Sequence, residues 1–435
     1  MQSQPTRNTS RRRVLLVLNK PNREGPVMQS IAKALLSQDA SLHVKIVAFD
    51  SHFFDAVLDF RPNIILTYPM TAVGLASFYY VFKFLFHCIV ICYRTEGIVV
   101  AGSKSNIANH VGYDRYGARL VDYEIFWGDN SASAIGPVLL EQNKLSSRER
   151  VKVFGYPRLE KYFQPEEDES AELPTEISAR LQEYGRARTV LLATGFHFAN
   201  YTRADIFAAK DLDAENQEQE LLAAIEGVKE FRAAWINSII VAATSRPDFF
   251  FVLKKHPIER REDYMQLAKL PNVLVVWQDL DIAHLMRASG LFFHYGSTTL
   301  ADAYLARVPA VHVHSPDPRC SNWYQDLGWP SDRKIFVEEI SETVNEYAAG
   351  QLHFKMTEAM WKVLKQQFAI DDPAEYHPSK RIAEFLLTRR GPQRISIADS
   401  YLWRAILVHY LPKVRRIVAP PVKRVLQAMG WQFRR

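Results

Sequence analysis

A chain of 435 residues is too long for one ordinary hydrophobic core and divides most simply into two domains of roughly 150–200 residues each. Its 48% hydrophobic and 23% charged residues are those of a soluble globular protein. Three cysteines (Cys88, Cys92 and Cys320) exclude a disulfide framework and point to a reducing compartment, the cytoplasm.

In chain order, residues 1–13 are polar and basic, without the apolar stretch of a signal peptide. Apolar runs at 13–19, 43–49, 64–68, 89–94, 121–127 and 151–154 predict buried strands, and 26–37 has helical periodicity. Short strands alternating with helices imply a parallel sheet covered on both faces. Residues 72–92 are the one stretch that resembles a membrane span. Lys83 and His87 interrupt it, so it divides into a helix ending near Phe86 and a strand at 88–93. Cys88 and Cys92 then share one strand face as packing residues, and no zinc site is expected of them. The stretch 164–176, rich in Glu, Asp and Pro, is the best boundary, giving a first domain over 1–163 and a linker over 164–188.

The second half repeats the pattern over 189–372. Its strands are read at 189–193, 249–253, 273–276, 291–293 and 310–314, with helices over 208–243, 282–288 and 300–307. A crossover helix of about fifteen residues within 373–399 returns toward the first domain. No internal repeat is present. The expected architecture is α/β: two Rossmann-like domains facing a cleft (GT-B-like), with a basic helical C-terminal tail over 400–435.

After Asp399 there is no acidic residue, whereas Arg404, Lys413, Arg415, Arg416, Lys423, Arg424, Arg434 and Arg435 are basic, so the tail holds the whole excess of the net +6 charge. Trp403, Leu407, Leu411, Val425 and Trp431 lie among these charges. Such a tail suits an anionic membrane surface; a helix pair packed on the body with a solvated basic face accounts for it as well. Nucleic acid is not an expected partner, since no aromatic–basic recognition motif accompanies the charge.

Two polar blocks stand where buried strands end, the ligand edge of an open α/β sheet. Lys254-Lys255-His256-Pro257 follows 249–253, and Gly296-Ser297-Thr298-Thr299 follows 291–294 and opens the helix-like 300–307. A cationic pair with an imidazole, hydroxyls and helix-start N–H groups suit a phosphate-bearing ligand. Each block alone reads equally well as a charged strand end or an N-cap. Thr194-Gly195 is a strand exit that lets backbone approach a ligand. Glu96, in Arg94-Thr95-Glu96-Gly97, is placed as a general base for an attacking hydroxyl, or as an ion-pair partner of Arg94. Arg158, in Gly155-Tyr156-Pro157-Arg158, can reach a phosphate or carboxylate, although a rigid exit turn explains the Gly and Pro. Asp129-Asn130 and Asp279-Leu280-Asp281 read as helix caps.

In this order the blocks resemble the bacterial surface-carbohydrate biosynthesis family that includes β-Kdo transferases of lipopolysaccharide and capsule assembly. The matching elements are Glu96-Gly97, Phe126-Trp127-Gly128, Val153-Phe154-Gly155-Tyr156-Pro157-Arg158, Ala193-Thr194-Gly195-Phe196 with Ala199-Asn200-Tyr201, Lys255-His256-Pro257, and Gly296-Ser297-Thr298-Thr299 with Ala301 and Ala303-Tyr304-Leu305. They span roughly residues 12–313. The resemblance implies a GT-B-type glycosyltransferase using a CMP-activated sugar (Kdo or another ulosonic acid) and a surface-polysaccharide or lipid-linked acceptor. It implies an acceptor-side first domain with Glu96 as base. The second domain would grip the nucleotide through Lys255, His256, Pro257, Gly296, Ser297, Thr298 and Thr299, with Thr194 and Gly195 beside them. Arg158, Asn200 and Asp205 are further cleft residues. This chain has Arg94-Thr95 where the family carries an acidic cluster. It has Thr194-Gly195 where retaining members carry an aspartate, Asp205 being the nearest acid.

No cofactor is implied, and with no Asp-x-Asp at a strand end a metal-independent mechanism is expected. Two alternatives share the donor-site residues: a CDP-polyol phosphotransferase with attack at phosphorus, and a degenerate nucleotide-binding assembly subunit. A nucleotide-sugar epimerase would share the fold but need several cleft carboxylates. Placement is expected in the cytoplasm, peripheral on the inner face of the membrane.

Overall fold

The computed structural model describes residues 12–50, 52–68, 73–94, 120–142, 145–163, 173–202, 215–256, 259–277, 280–321 and 327–389. The chain forms two compact units, Met1–Glu160 with Lys365–Arg435, and Lys161–Leu364.

The first unit is built on a six-stranded parallel sheet of β1 (Arg13–Leu18), β2 (His43–Ala48), β3 (Ile64–Thr67), β4 (Ile89–Tyr93), β5 (Tyr123–Phe126) and β6 (Val151–Val153), in the order β2-β1-β3-β4-β5-β6. Every pairing is parallel. The inner strands β3 and β4 are buried at every position and, apart from Thr67, lack strongly polar side chains, as a sheet covered by helices requires. Edge strand β2 is instead exposed at His43 and Lys45 and half-buried at its other positions. Helices α1 (Pro21–Gln38), α2 (Phe53–Phe60), α3 (Val73–Phe86) and α4 (Asp129–Glu141) connect the strands. Pro21 opens α1, where its missing N–H costs nothing, and the Glu24 carboxylate accepts the N–H groups of Asn19 and Lys20.

Within the stretch 72–92, α3 ends at Phe86 and β4 begins at Ile89. Lys83 is buried and bridges Asp122 at 2.7 Å, while also donating to the Leu120 carbonyl at 2.9 Å. Among the described residues no helix is long and apolar enough to cross a membrane. Cys88, Cys92 and Cys320 are buried free thiols.

The second unit holds β7 (Thr189–Ala193), β8 (Phe250–Lys254), β9 (Val273–Val276), β10 (Leu291–His294), β11 (Ala310–His314) and β12 (Arg333–Phe336), ordered β12-β11-β10-β7-β8-β9 and again wholly parallel. Its helices are α5 (Thr175–Tyr184), α6 (Glu215–Ser245), α7 (Ile282–Arg287), α8 (Leu300–Ala306), α9 (Pro318–Ser321), α10 (Ile340–Ala348) and α11 (Glu358–Phe368), the last passing into the first unit. The core packs Phe196, Phe231, Trp235, Phe251 and Phe293 around the inner strands. Helix α5 lies inside the stretch expected as linker, with Ile177 and Leu181 buried.

Returning to the first unit, α12 (Pro378–Thr388) packs along α1. Tyr376 receives the Tyr156 N–H at 2.8 Å, and the Glu160 carboxylate accepts the Ser379 N–H at 2.5 Å. Trp127 stacks on Tyr156 at 3.8 Å and faces Phe368 at 6.1 Å. Gly128 has an extended backbone that any residue can adopt, so its requirement is for space: a Cβ there would stand 2.3 Å from the Gln366 carbonyl oxygen. The glycines and aromatics of the 126–128 and 155–158 motifs are thus used in seating the returning chain.

Candidate functional site

Both sheets reverse their order at one place, between β1 and β3 in the first unit and between β7 and β10 in the second. Ligands of open α/β sheets bind outside the carboxyl ends of strands at such a reversal. In the second unit Ala193 is in register with Lys254 on one side and His294 on the other. One residue further on, Thr194 therefore lies between Lys255 and Tyr295. With parallel strands about 4.8 Å apart, the outer two exits are about 10 Å from one another. The fold thus gathers Thr194-Gly195, Lys255-His256 and Gly296-Ser297 at one sheet edge.

The turn after β8 is held mainly through its backbone. The His256 N–H donates to Thr194 Oγ1 at 3.0 Å, and the His256 carbonyl accepts from the Glu259 N–H at 3.0 Å. Lys255 Nζ reaches the carbonyls of His256 and Glu259 at 3.3 and 2.9 Å, so its ammonium also braces the turn. Half-buried His256 carries its imidazole on this frame.

Beneath lies Glu259, 3% exposed, a residue the sequence motifs did not single out. It accepts the Thr194 hydroxyl at 2.6 Å, the Tyr264 hydroxyl at 2.5 Å and the Phe196 N–H at 2.5 Å. Burial pushes its carboxyl above the usual range, opposed by these hydrogen bonds and by nearby Arg232. Arg232 in turn bridges Asp263 at 2.5 Å and donates to the side-chain Oδ1 of Asn200 at 2.9 Å, which engages Asn200 in the packing under the turn.

After β10, Gly296 adopts a left-handed φ of 56°, a conformation costly for a side chain bearing Cβ. Ser297 Oγ and Thr299 Oγ1 are 2.6 Å apart, and the Thr299 N–H donates to Ser297 Oγ at 3.2 Å. When Thr299 donates in the hydroxyl pair, both Ser297 lone pairs are used and its own O–H is left to donate outward. The Ser297 N–H points to His294 Nδ1 at 3.5 Å, and His294 Nε2 pairs with Ser331 Oγ at 3.1 Å. Thr298 is exposed, and Thr299 precedes α8 without capping it through its side chain. Asp281 does cap a helix, accepting the Ala283 N–H at 3.0 Å.

In the first unit the guanidinium of Arg158 lies over the Tyr156 ring at 5.4 Å. Arg94 forms a buried ion pair with Glu124 of the neighbouring strand at 3.0 Å. Glu96, Asp205 and Pro257 lie outside the described residues, as does the tail over 400–435.

Two six-stranded parallel sheets with these strand orders give the chain a GT-B-like fold of two Rossmann-like units. Two solved structures with TM-scores of 0.50 and 0.51 bear out that fold. Neisseria meningitidis UDP-GlcNAc 2-epimerase bound to UDP-GlcNAc is similar at a TM-score of 0.50 and 14% identity, over 87% of this chain and 100% of that one. The S. aureus MnaA–UDP structure is similar at 0.51 and 14%, over 88% and 100%. The wall teichoic acid polymerase TagF is similar at 0.48 and 12%, over 86% and 87%. No protein-family model matches the sequence, and no curated protein does.

Proposed function

We propose that this protein is a glycosyltransferase that takes a sugar from a nucleotide-activated donor, CMP-linked as the motif order favours, and passes it to a glycan or lipid-linked acceptor of a surface polysaccharide. The observation that carries the reading is the grouping of Thr194-Gly195, Lys255-His256 and Gly296-Ser297 at the sheet reversal of the second unit. A nucleotide placed there meets an imidazole, a hydroxyl and backbone N–H groups on its phosphate. In the transfer the bond from the sugar's anomeric carbon to phosphate oxygen breaks, and a bond to the acceptor oxygen forms. His256, Ser297 and Thr298 stabilise the charge left on phosphate. Glu96 takes the acceptor's proton. The reaction needs no cofactor, and placement is on the cytoplasmic face of the membrane, held through the basic tail.

The test is a panel of CMP-, CDP- and UDP-activated donors, following nucleotide release with and without polysaccharide acceptor. Acceptor-dependent release of CMP is the expected result. Isomerisation of a UDP-sugar with no acceptor would replace this reading with an epimerase, a chemistry carried out by proteins of this fold. A Glu96→Gln enzyme should keep nucleotide affinity and lose about 10²–10⁴-fold in turnover.

A further inference from the structure

We propose that Glu259 is the positioning residue of the donor turn, an inference that rests on the donor site proposed above. Its carboxylate fixes the Thr194 hydroxyl so that the threonine oxygen receives the His256 N–H, and so sets where the His256 imidazole stands. Three donors converge on two oxygens: the hydroxyls of Thr194 and Tyr264 on Oε2, and the Phe196 N–H on Oε1. With its hydrogen committed to Glu259, Thr194 turns a lone pair to the His256 N–H at 3.0 Å. The Glu259 N–H closes the same turn at the His256 carbonyl. One buried acid therefore ties the exit of β7 to the exit of β8. Those are two of the three segments gathered at the sheet edge.

Glutamine in place of Glu259 is nearly isosteric but reverses part of this pattern. Its carbonyl must face the Phe196 N–H, which can only donate, leaving the amide NH₂ toward Thr194 and Tyr264. Thr194 then accepts from the amide, its own hydrogen loses the carboxylate, and the oxygen is no longer held toward His256. The loss should therefore be felt through His256.

The experiment measures affinity for whichever of CMP, CDP and UDP binds the wild-type protein most tightly. It compares Glu259→Gln, His256→Ala and the double variant by calorimetry, with thermal melting as a second readout. The expected result is about a tenfold weaker nucleotide affinity for Glu259→Gln, with less than a threefold further loss when Glu259→Gln is added to His256→Ala. A role in packing alone would lower the melting temperature and give equal losses in both backgrounds. Equal losses, or wild-type affinity in Glu259→Gln, would overturn the proposal. If Glu259→Gln does not fold, Thr194→Val should reproduce the loss and Thr194→Ser should not; the same affinity in both would overturn it. Failure of the wild-type protein to bind any of the three nucleotides would instead sink the donor site, and this inference with it.

Discussion

His256 is fixed by its main chain, and that separates its two roles. The N–H and carbonyl of His256 make the bonds that hold the turn, to Thr194 and from Glu259 and Lys255. A His256→Ala variant keeps all of them, so its melting temperature should stay within a degree or two of wild type. Nucleotide binding should weaken about ten- to a hundredfold, the effect of losing a hydrogen bond to a charged group; calorimetry on the folded variant checks this. Glu160 has the opposite character, because its role is structural. Burial raises its carboxyl above the usual 4.5, while its hydrogen bonds to Ser379 oppose the rise. A raised acid binds its proton more tightly folded than unfolded. Its contribution to stability is therefore present at low pH and lost as pH climbs from about 4.5 through the folded value. Glu160→Gln keeps an acceptor for the Ser379 N–H and removes the titration. Its melting temperature relative to wild type should thus be higher at pH 7 than at pH 4.5, as a pair of melting curves at each pH would show. The placement of His256, Thr194 and Ser297 at one sheet edge was legible in the sequence because each stands just past an apolar run. Glu259 was not, since beside Arg260 and Arg261 it reads as one more surface charge. Only the approach of β7 to β8 gives it three donors.

At the scale of elements, hydrophobic runs marked eleven of the twelve strands among the described residues to within a residue or two, because the inner parallel strands are buried on both faces and the half-buried β2 and β6 still carry apolar residues. The missed strand, β12, reads Arg-Lys-Ile-Phe, with Ile335 its one buried residue. It is an edge strand beside β11 and needs little apolar pattern. Helices α10 and α11 were also missed, lying where strands had ceased to punctuate the chain. Gly128 shows the limit of local reading most clearly: its neighbours are Gln366 and Gln367, far away in sequence. Gly128→Ala should lower stability by about 1–3 kcal/mol through overpacking against backbone. This amounts to about 2–4 °C of melting temperature per kcal/mol, with nucleotide affinity unchanged in the folded fraction.

At the scale of the molecule, strand order gathers the segments proposed to hold the donor, whereas the proposed membrane placement rests on the charge of the tail. No acidic residue stands among the eight basic residues after Asp399, which come with Trp403 and Trp431. Lys and Arg near an anionic surface contribute about 1 kcal/mol each, less as salt rises. The full chain should therefore sediment with anionic liposomes in a salt-sensitive manner, and a chain ending at Asp399 should not. Equal sedimentation of the two, with a lower melting temperature for the shorter one, would mean that the tail packs on the protein.

The first unit is discontinuous in sequence: Met1–Glu160 is completed by a segment that begins at Lys365. On the ribosome its six strands emerge first, but the helix that lies along α1 and the residues that cover Trp127 and Tyr156 emerge only after the second unit. At about 5–20 residues per second, the roughly 200 residues between take on the order of 10–40 s to synthesise. During that time the nascent first unit carries an uncovered apolar face, while the continuous second unit can close as soon as it has left the exit tunnel. Birth order and folding order are thus reversed, and a ribosome stalled with the second unit outside the tunnel and α12 still within it presents chaperones with a folded second unit and an unfinished first one.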